Sequence, residues 1–200
     1  MLNTTETANH QASMVQTGIE KALSRVRTFS PTEVEMVAKA AESRPVKKHE
    51  LILAEGLVCN FVIIVISGSL RLFHATEEKE LTLNFFSEHD FAADHESFTG
   101  QKPSVNSIAA LEDSIIATIS IYKLHELIAK NQAFFAIGRV MENWIKATAL
   151  INLETPQQRF EKLMELRPEW ILRFPQKYLA SYLGMAPETF SRMKRKSLLS

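Results

Sequence analysis

Two hundred residues, 46% apolar and 23% charged, with 23 basic side chains balanced by 23 acidic ones, allow one large globular domain or two small ones. No apolar run reaches the ~18 residues of a membrane span, and the polar start MLNTTETANHQASMVQTG lacks the apolar stretch of a secretory leader. The single Cys59 excludes an internal disulfide and any zinc or iron–sulfur site built on several thiolates, so a reducing cytoplasm away from membranes is expected.

The zero net charge joins two unlike pieces. Residues 156–200 hold nine Lys/Arg and four Glu, a net of +5, which leaves −5 on residues 1–155. A basic C-terminal piece on an acidic body predicts a polyanionic partner for that piece, and a solvated basic tail is the plainer alternative.

Along the chain, residues 1–18 read as a loose tail. Ser30-Pro31-Thr32-Glu33 announces a helix, because serine caps, proline suits the first helical position and Glu33 completes a capping box. Val34, Val37, Ala38 and Ala41 follow at helical spacing, and Pro45 bars extension. The pattern then turns to β. ELILAEG, FVIIVISGSLRLFHA with its Ser67-Gly68 break, a charged turn at 77–80, the alternating LTLNFF, Ser107–Leu111 and Ser114–Ile119 predict short strands. Such strands joined by tight turns predict a small barrel or sandwich.

Helical periodicity returns at Ile121. Phe134, Ile137, Met141, Trp144, Thr148 and Ile151 recur at steps of 3, 4, 3, 4 and 3, a seam of about three heptads on a helix of roughly 31 Å. This predicts a parallel dimer, against the alternative of a long helix buried in its own domain. Thr155-Pro156 closes that helix, and 157–166 form another amphipathic one.

In PQKYLASYLGMAPETFSRMKRK (175–196), Leu179, Ala180 and Leu183 form the inner side of one helix. Gly184 permits positive φ in a tight turn, Pro187 starts the next helix, and Phe190 and Met193 point back inward. Glu188, Ser191, Arg192 and Arg195 then face outward, with Lys194 and Lys196 at the edges. Two helices about a glycine turn predict a helix-turn-helix whose second helix enters the major groove of double-stranded DNA. Arg192 suits guanine O6 and N7, Glu188 suits cytosine N4, and the basic residues at the far end suit phosphates.

With these parts in place, the chain resembles the Crp/Fnr family of bacterial transcription regulators over most of residues 20–196. The terminal segment resembles that family's recognition helix, and FVIIVISGSLRLF resembles its β-roll hairpin. FFSEHDFAADHESFTGQKPSVNSIAALEDSIIATIS resembles its phosphate-binding cassette with the surrounding strands. The resemblance implies an α+β chain: a cyclic-nucleotide-binding-like β-roll of jelly-roll type with flanking helices over 19–130, a dimerisation helix over 131–155 and an all-α helix-turn-helix domain over 156–200. It further implies a homodimer reading a palindromic site, with half-sites roughly 34 Å apart, and RNA polymerase as a further partner.

By the same resemblance, effector contacts fall on Ala93, Asp94, Lys102, Ser104 and Val105. In cAMP-binding members a Gly-Glu pair holds the ribose and an Arg-Ser or Arg-Thr pair holds the cyclic phosphate. Here the first pair reads Ala93-Asp94 and the second falls at Ser104-Val105, without arginine. Lys102 does not reproduce the planar fork of arginine, so the expectation is another small-molecule effector than cAMP, or none. The family's β-hairpin wing would follow the recognition helix. Only Ser197-Leu198-Leu199-Ser200 stand there, which predicts weaker affinity per subunit and greater dependence on the dimer. No catalytic or metal-ligating set is predicted. His89, Asp90, Asp94, His95 and Glu96 cluster in sequence, yet their spacing fits no ligand motif. The competing readings are a β-roll ligand-binding or scaffold protein without DNA readout, and a cupin-like metalloenzyme.

Overall fold

The computed structural model describes the backbone of residues 4–138 and 155–198, with side chains over 11–138 and 155–197. Two compact units emerge: residues 1–72 with 85–143, and residues 73–84 with 144–200.

Eight strands are present among the described residues: β1 (Glu42–Val46), β2 (Leu51–Leu53), β3 (Phe61–Ser67), β4 (Leu70–Ala75), β5 (Glu80–Phe86), β6 (Phe91–Ala92), β7 (Ser107–Ala110) and β8 (Ser114–Ser120). They form two four-stranded sheets, ordered β1-β8-β3-β6 and β2-β7-β4-β5. Of the barrel or sandwich that the strand pattern predicts, the two sheets make the sandwich, in keeping with the β-roll that the resemblance implies. At its centre β3 pairs antiparallel with β8, Val62 opposite Ile119 and Ile64 opposite Ala117. The five residues Val62–Ile66 are all buried, which is why this strand reads as an unbroken apolar run rather than an alternating one.

Residues 1–18 are not a loose tail, because α1 spans Thr4–Ser24. Ile19, Ala22 and Leu23, at helical spacing, are fully buried. Gly18 lets the helix approach β3 closely, since a Cβ there would meet the Ile66 side chain at 3.0 Å. The polar residues upstream extend the same helix and carry no periodic signal. Helix α2 (Pro31–Ala40) begins with the predicted capping box: Glu33 N donates to Ser30 Oγ at 3.3 Å and Ser30 N to Glu33 Oε2 at 2.7 Å. It stops at Ala40, and β1 follows with Pro45 on an edge strand, where a missing N–H is tolerated. Two more helices, α3 (His95–Gly100) and α4 (Ile121–Lys130), complete the roll.

Asn131 interrupts the expected dimerisation helix at its start. Its side chain accepts from Ala133 N at 2.9 Å and caps a 3-10 turn at Gln132–Phe134, after which α5 is described over 135–138. Phe134 and Ile137, expected in the dimer seam, are fully buried in their own unit, with Phe134 stacked on Phe29 at 5.8 Å. The heptad stripe thus begins as domain core. The other seam positions, Met141, Trp144, Thr148 and Ile151, lie outside the described residues.

In the second unit, α6 (Pro156–Leu166), α7 (Trp170–Arg173), α8 (Gln176–Tyr182) and α9 (Pro187–Leu198) surround an aromatic core. Phe160 meets Phe190 edge-on at 5.7 Å, and Trp170 meets Phe174 at 5.6 Å and Tyr182 at 5.8 Å. In the same unit, Ser181 Oγ accepts from Thr82 N at 2.9 Å and donates to Glu80 O at 3.0 Å.

Gly68 makes the tight link from β3 to β4. Its φ is +89, its N–H donates to Glu88 Oε1 at 2.9 Å, and a Cβ would overlap the Ser114 hydroxyl. Gly68→Ala is expected to destabilise the chain by about 3 kcal/mol through left-handed strain and crowding, read as a lower midpoint in thermal unfolding. His89, at φ +69, lies in a groove beside Gly18 and Lys21, and burial, with Arg25 and Lys21 nearby, holds its imidazole below the ordinary value. The native chain therefore keeps it neutral where the unfolded chain is protonated. Its contribution is complete above a pH of about 6.5 and fades as pH falls below that. Thermal midpoints are expected to drop as pH is lowered through that range, and His89→Asn, whose side chain tolerates positive φ, is expected to flatten the drop.

Candidate functional site

Two places carry the side chains that the sequence singles out. The first is the loop around α3. Strand β6 pairs with β3, Ala92 opposite Ile63, and delivers Asp94 to the N-cap of α3. Asp94 is buried at 4% exposure. Its Oδ1 accepts from Ser97 N at 3.4 Å, and its Oδ2 meets the Ser104 hydroxyl at 2.5 Å and the Asn106 amide at 3.0 Å. Ser104 Oγ also accepts from Asn106 N at 2.9 Å.

The surrounding loop is stitched as closely. Ser97 Oγ accepts from Cys59 N at 2.9 Å and donates to Lys102 O at 2.6 Å. Gly56 N donates to Ser104 O at 2.8 Å, and Ser104 N to Leu57 O at 2.9 Å. Cys59 is fully buried, and that burial pushes its thiol above the ordinary value, away from nucleophilic chemistry.

Of the five predicted effector residues, Ala93, Asp94 and Ser104 are buried together, whereas Lys102 and Val105 face outward. The Lys102 ammonium is 3.8 Å from Glu96 Oε2 at the surface. Asn106 completes the Asp94 network and was not singled out in the sequence. A short polar residue two positions after Ser104 is the signal that it offered. Among the described residues no group of three or more His, Cys, Asp or Glu side chains is placed to hold a metal ion. Oδ2 is met by both Ser104 and Asn106, and Oδ1 by Ser97 N alone at 3.4 Å, so an incoming hydroxyl would compete with the chain's own donors for Oδ2.

The second place is the α8–α9 pair. The N-terminus of α6 that supports it is fixed by Thr155: Gln158 N donates to Thr155 Oγ1 at 3.3 Å, and Thr155 N to Gln158 Oε1 at 2.9 Å. Helix α8 ends at a left-handed glycine. Gly184 has φ +63, its N–H reaches Ser181 O at 3.0 Å, and Met185 N reaches Ala180 O at 2.9 Å. These 5→2 and 6→1 bonds make a Schellman motif, which ends α8 and redirects the chain into α9. Leu179, Ala180, Leu183 and Phe190 are fully buried between the two helices.

The face that remains is polar. Glu188, Ser191, Arg192, Arg195 and Lys196 are exposed. Lys194 differs: its ammonium donates to Ile171 O at 3.0 Å, a part-buried contact that ties α9 to α7. Arg192 and Lys196 also border a groove floored by Pro156, Phe160 and Met193. No described helix is long and apolar enough to cross a membrane.

Replacing Asp94 by alanine is expected to lower stability by about 2–3 kcal/mol, because buried donors of Ser97, Ser104 and Asn106 lose their acceptor. Lys102→Ala is expected to stay within about 0.5 kcal/mol. Denaturant midpoints of the two variants check both.

The family described as the cyclic nucleotide-binding domain matches residues 43–131. No curated protein matches the chain in sequence. Among solved structures, FixK2 from Bradyrhizobium japonicum is 16% identical with a TM-score of 0.66, over 78% of this chain and 83% of that one. The c-di-GMP responsive global regulator CLP of Xanthomonas campestris is 18% identical with a TM-score of 0.65, over 85% and 92%. A CooA variant from Carboxydothermus hydrogenoformans is 20% identical with a TM-score of 0.64, over 85% and 79%. At residues 43–131 the chain is thus similar to cyclic nucleotide-binding domains, and over most of its length it shares the fold of these proteins.

Proposed function

We propose that the chain is a DNA-binding transcription regulator of Crp/Fnr type. It acts as a homodimer, reads a palindromic site through α9, and does so without cyclic nucleotide in the loop around α3. The observation that carries the reading is the α8–α9 pair. A Schellman turn fixes the second helix, and its outward face offers Glu188, Ser191, Arg192 and Arg195 side by side, on a piece of the chain with net charge +5. Arg192 donates to a guanine edge, Glu188 accepts from a cytosine amine, and Arg195 and Lys196 meet phosphates. Lys194, held by Ile171 O, contributes to the fold of the reader rather than to the phosphates.

Independence from cyclic nucleotide rests on Asp94. The carboxyl group that a ribose would engage is already met by Ser97, Ser104 and Asn106, and no arginine stands beside Ser104 to hold a cyclic phosphate. Phe134 and Ile137 lie in the domain core, so the proposed dimer does not rest on them.

Duplexes selected from a random pool by the full chain, and titrated at two salt concentrations, test the reading. The wild-type chain is expected to bind with affinity that falls as salt rises. Arg192→Ala is expected to lose about 1–3 kcal/mol on the selected duplex, and added cAMP is expected to change neither affinity nor thermal midpoint. Wild-type affinity in Arg192→Ala would sink the assignment of Arg192.

A further inference from the structure

We infer that Arg159 is a clamp for a DNA backbone phosphate at the turn that feeds α9, an inference that rests on the DNA-reading proposal above. Arg159 lies on α6, outside the segment that the sequence marks for DNA contact. Its side chain is half-buried, and its Nε is buried without a hydrogen-bond partner. Among the described residues no carboxylate pairs with the guanidinium. The buried Nε is out of reach of any outside group, so an external acceptor would bond the terminal nitrogens Nη1 and Nη2.

Its position says which acceptor fits. The head group covers Gly184, where a Cβ would sit 2.9 Å from Nη1 and 3.4 Å from Nη2. Glycine at 184 therefore serves φ +63 and also leaves room for the guanidinium. The two amides of the turn are already engaged, Gly184 N with Ser181 O and Met185 N with Ala180 O. The first turn of α9 adds proline, which has no N–H, and the carboxylate of Glu188. An anion reaching the mouth of α9 meets the first-turn amides of Glu188 and Thr189, and Arg159 is the cationic side chain over the turn before them. A phosphodiester suits the planar fork of arginine, and a helix seated in the major groove brings the flanking backbone to this end. Lys194, the residue expected to meet phosphate, is tied to Ile171 O instead.

The test is the salt dependence of full-chain binding, measured by fluorescence anisotropy on a selected duplex and on an unselected one. Removing one phosphate contact shrinks the slope of log K against log salt by about 0.9 for each reading unit engaged. Arg159→Ala and the longer, neutral Arg159→Gln are both expected to show that smaller slope, with the same proportional loss of affinity on both duplexes. Arg159→Lys, which keeps the charge, is expected to restore most of the slope. A wild-type slope in Arg159→Gln overturns the inference, as does a loss confined to the selected duplex. A lower thermal midpoint with unchanged slope would assign Arg159 to the α8 terminus alone, and overturns it as well. If the wild-type chain shows no salt-dependent duplex binding, the DNA-reading proposal fails together with this one. If only the Arg159 variants keep the wild-type slope, the DNA-reading proposal stands.

Discussion

A carboxyl group buried in a protein must be met by donors, and Asp94 meets that demand inside its own loop. Its two oxygens join the first turn of α3, through Ser97, to the segment that follows, through Ser104 and Asn106. Ser97 and Ser104 carry the tie onward to Cys59 and Leu57. One side chain thereby ties together the path between β6 and β7. In a segment similar to cyclic nucleotide-binding domains, the loop around α3 is ordered by the chain's own hydrogen bonds.

The second unit solves a different problem, which is to hold a small helical body together while leaving one face polar. Its core is aromatic: Phe160, Trp170, Phe174 and Phe190 are buried, and Arg167 lies 5.3 Å from the Trp170 ring. The Schellman turn sets the angle at which α9 leaves, and Lys194 holds α9 to α7 from behind. Formal charge is therefore a poor count of what faces outward. One of the four basic residues at 192–196 is committed to a carbonyl within the unit, while Arg159, thirty-three residues before Arg192, stands over the turn.

Much of this was legible in the sequence where one physical signal acted alone. The β-branched runs gave β3 and β8, the capping residues gave α2, the amphipathic pattern gave α6, and glycine with proline gave the α8–α9 turn. Legibility failed where two demands overlapped. Strand β1 contains proline and charge because it lies at a sheet edge, so nothing in it reads as β. The polar residues of α1 show no periodicity, and among its described side chains the buried apolar ones are Ile19, Ala22 and Leu23. Phe134 and Ile137 continue a heptad stripe yet belong to the domain core, because the same spacing serves either neighbour. At the candidate site, Asp94 and Ser104 were visible by resemblance. Asn106 and Arg159 were not, since each acts through a fold-dependent meeting with a distant segment.

The bridge that Ser181 makes to Glu80 and Thr82 has a bearing on how copies of this chain behave in a crowded solution. Strand β5 ends its sheet, and the last strand of a sheet is where a foreign strand can add unless its outer N–H and C=O groups are covered. A lone hydroxyl from α8 occupies one such N–H and one such C=O, two residues apart, where a neighbouring molecule would begin to zip. Helix α8 thereby also covers part of the last strand of its sheet.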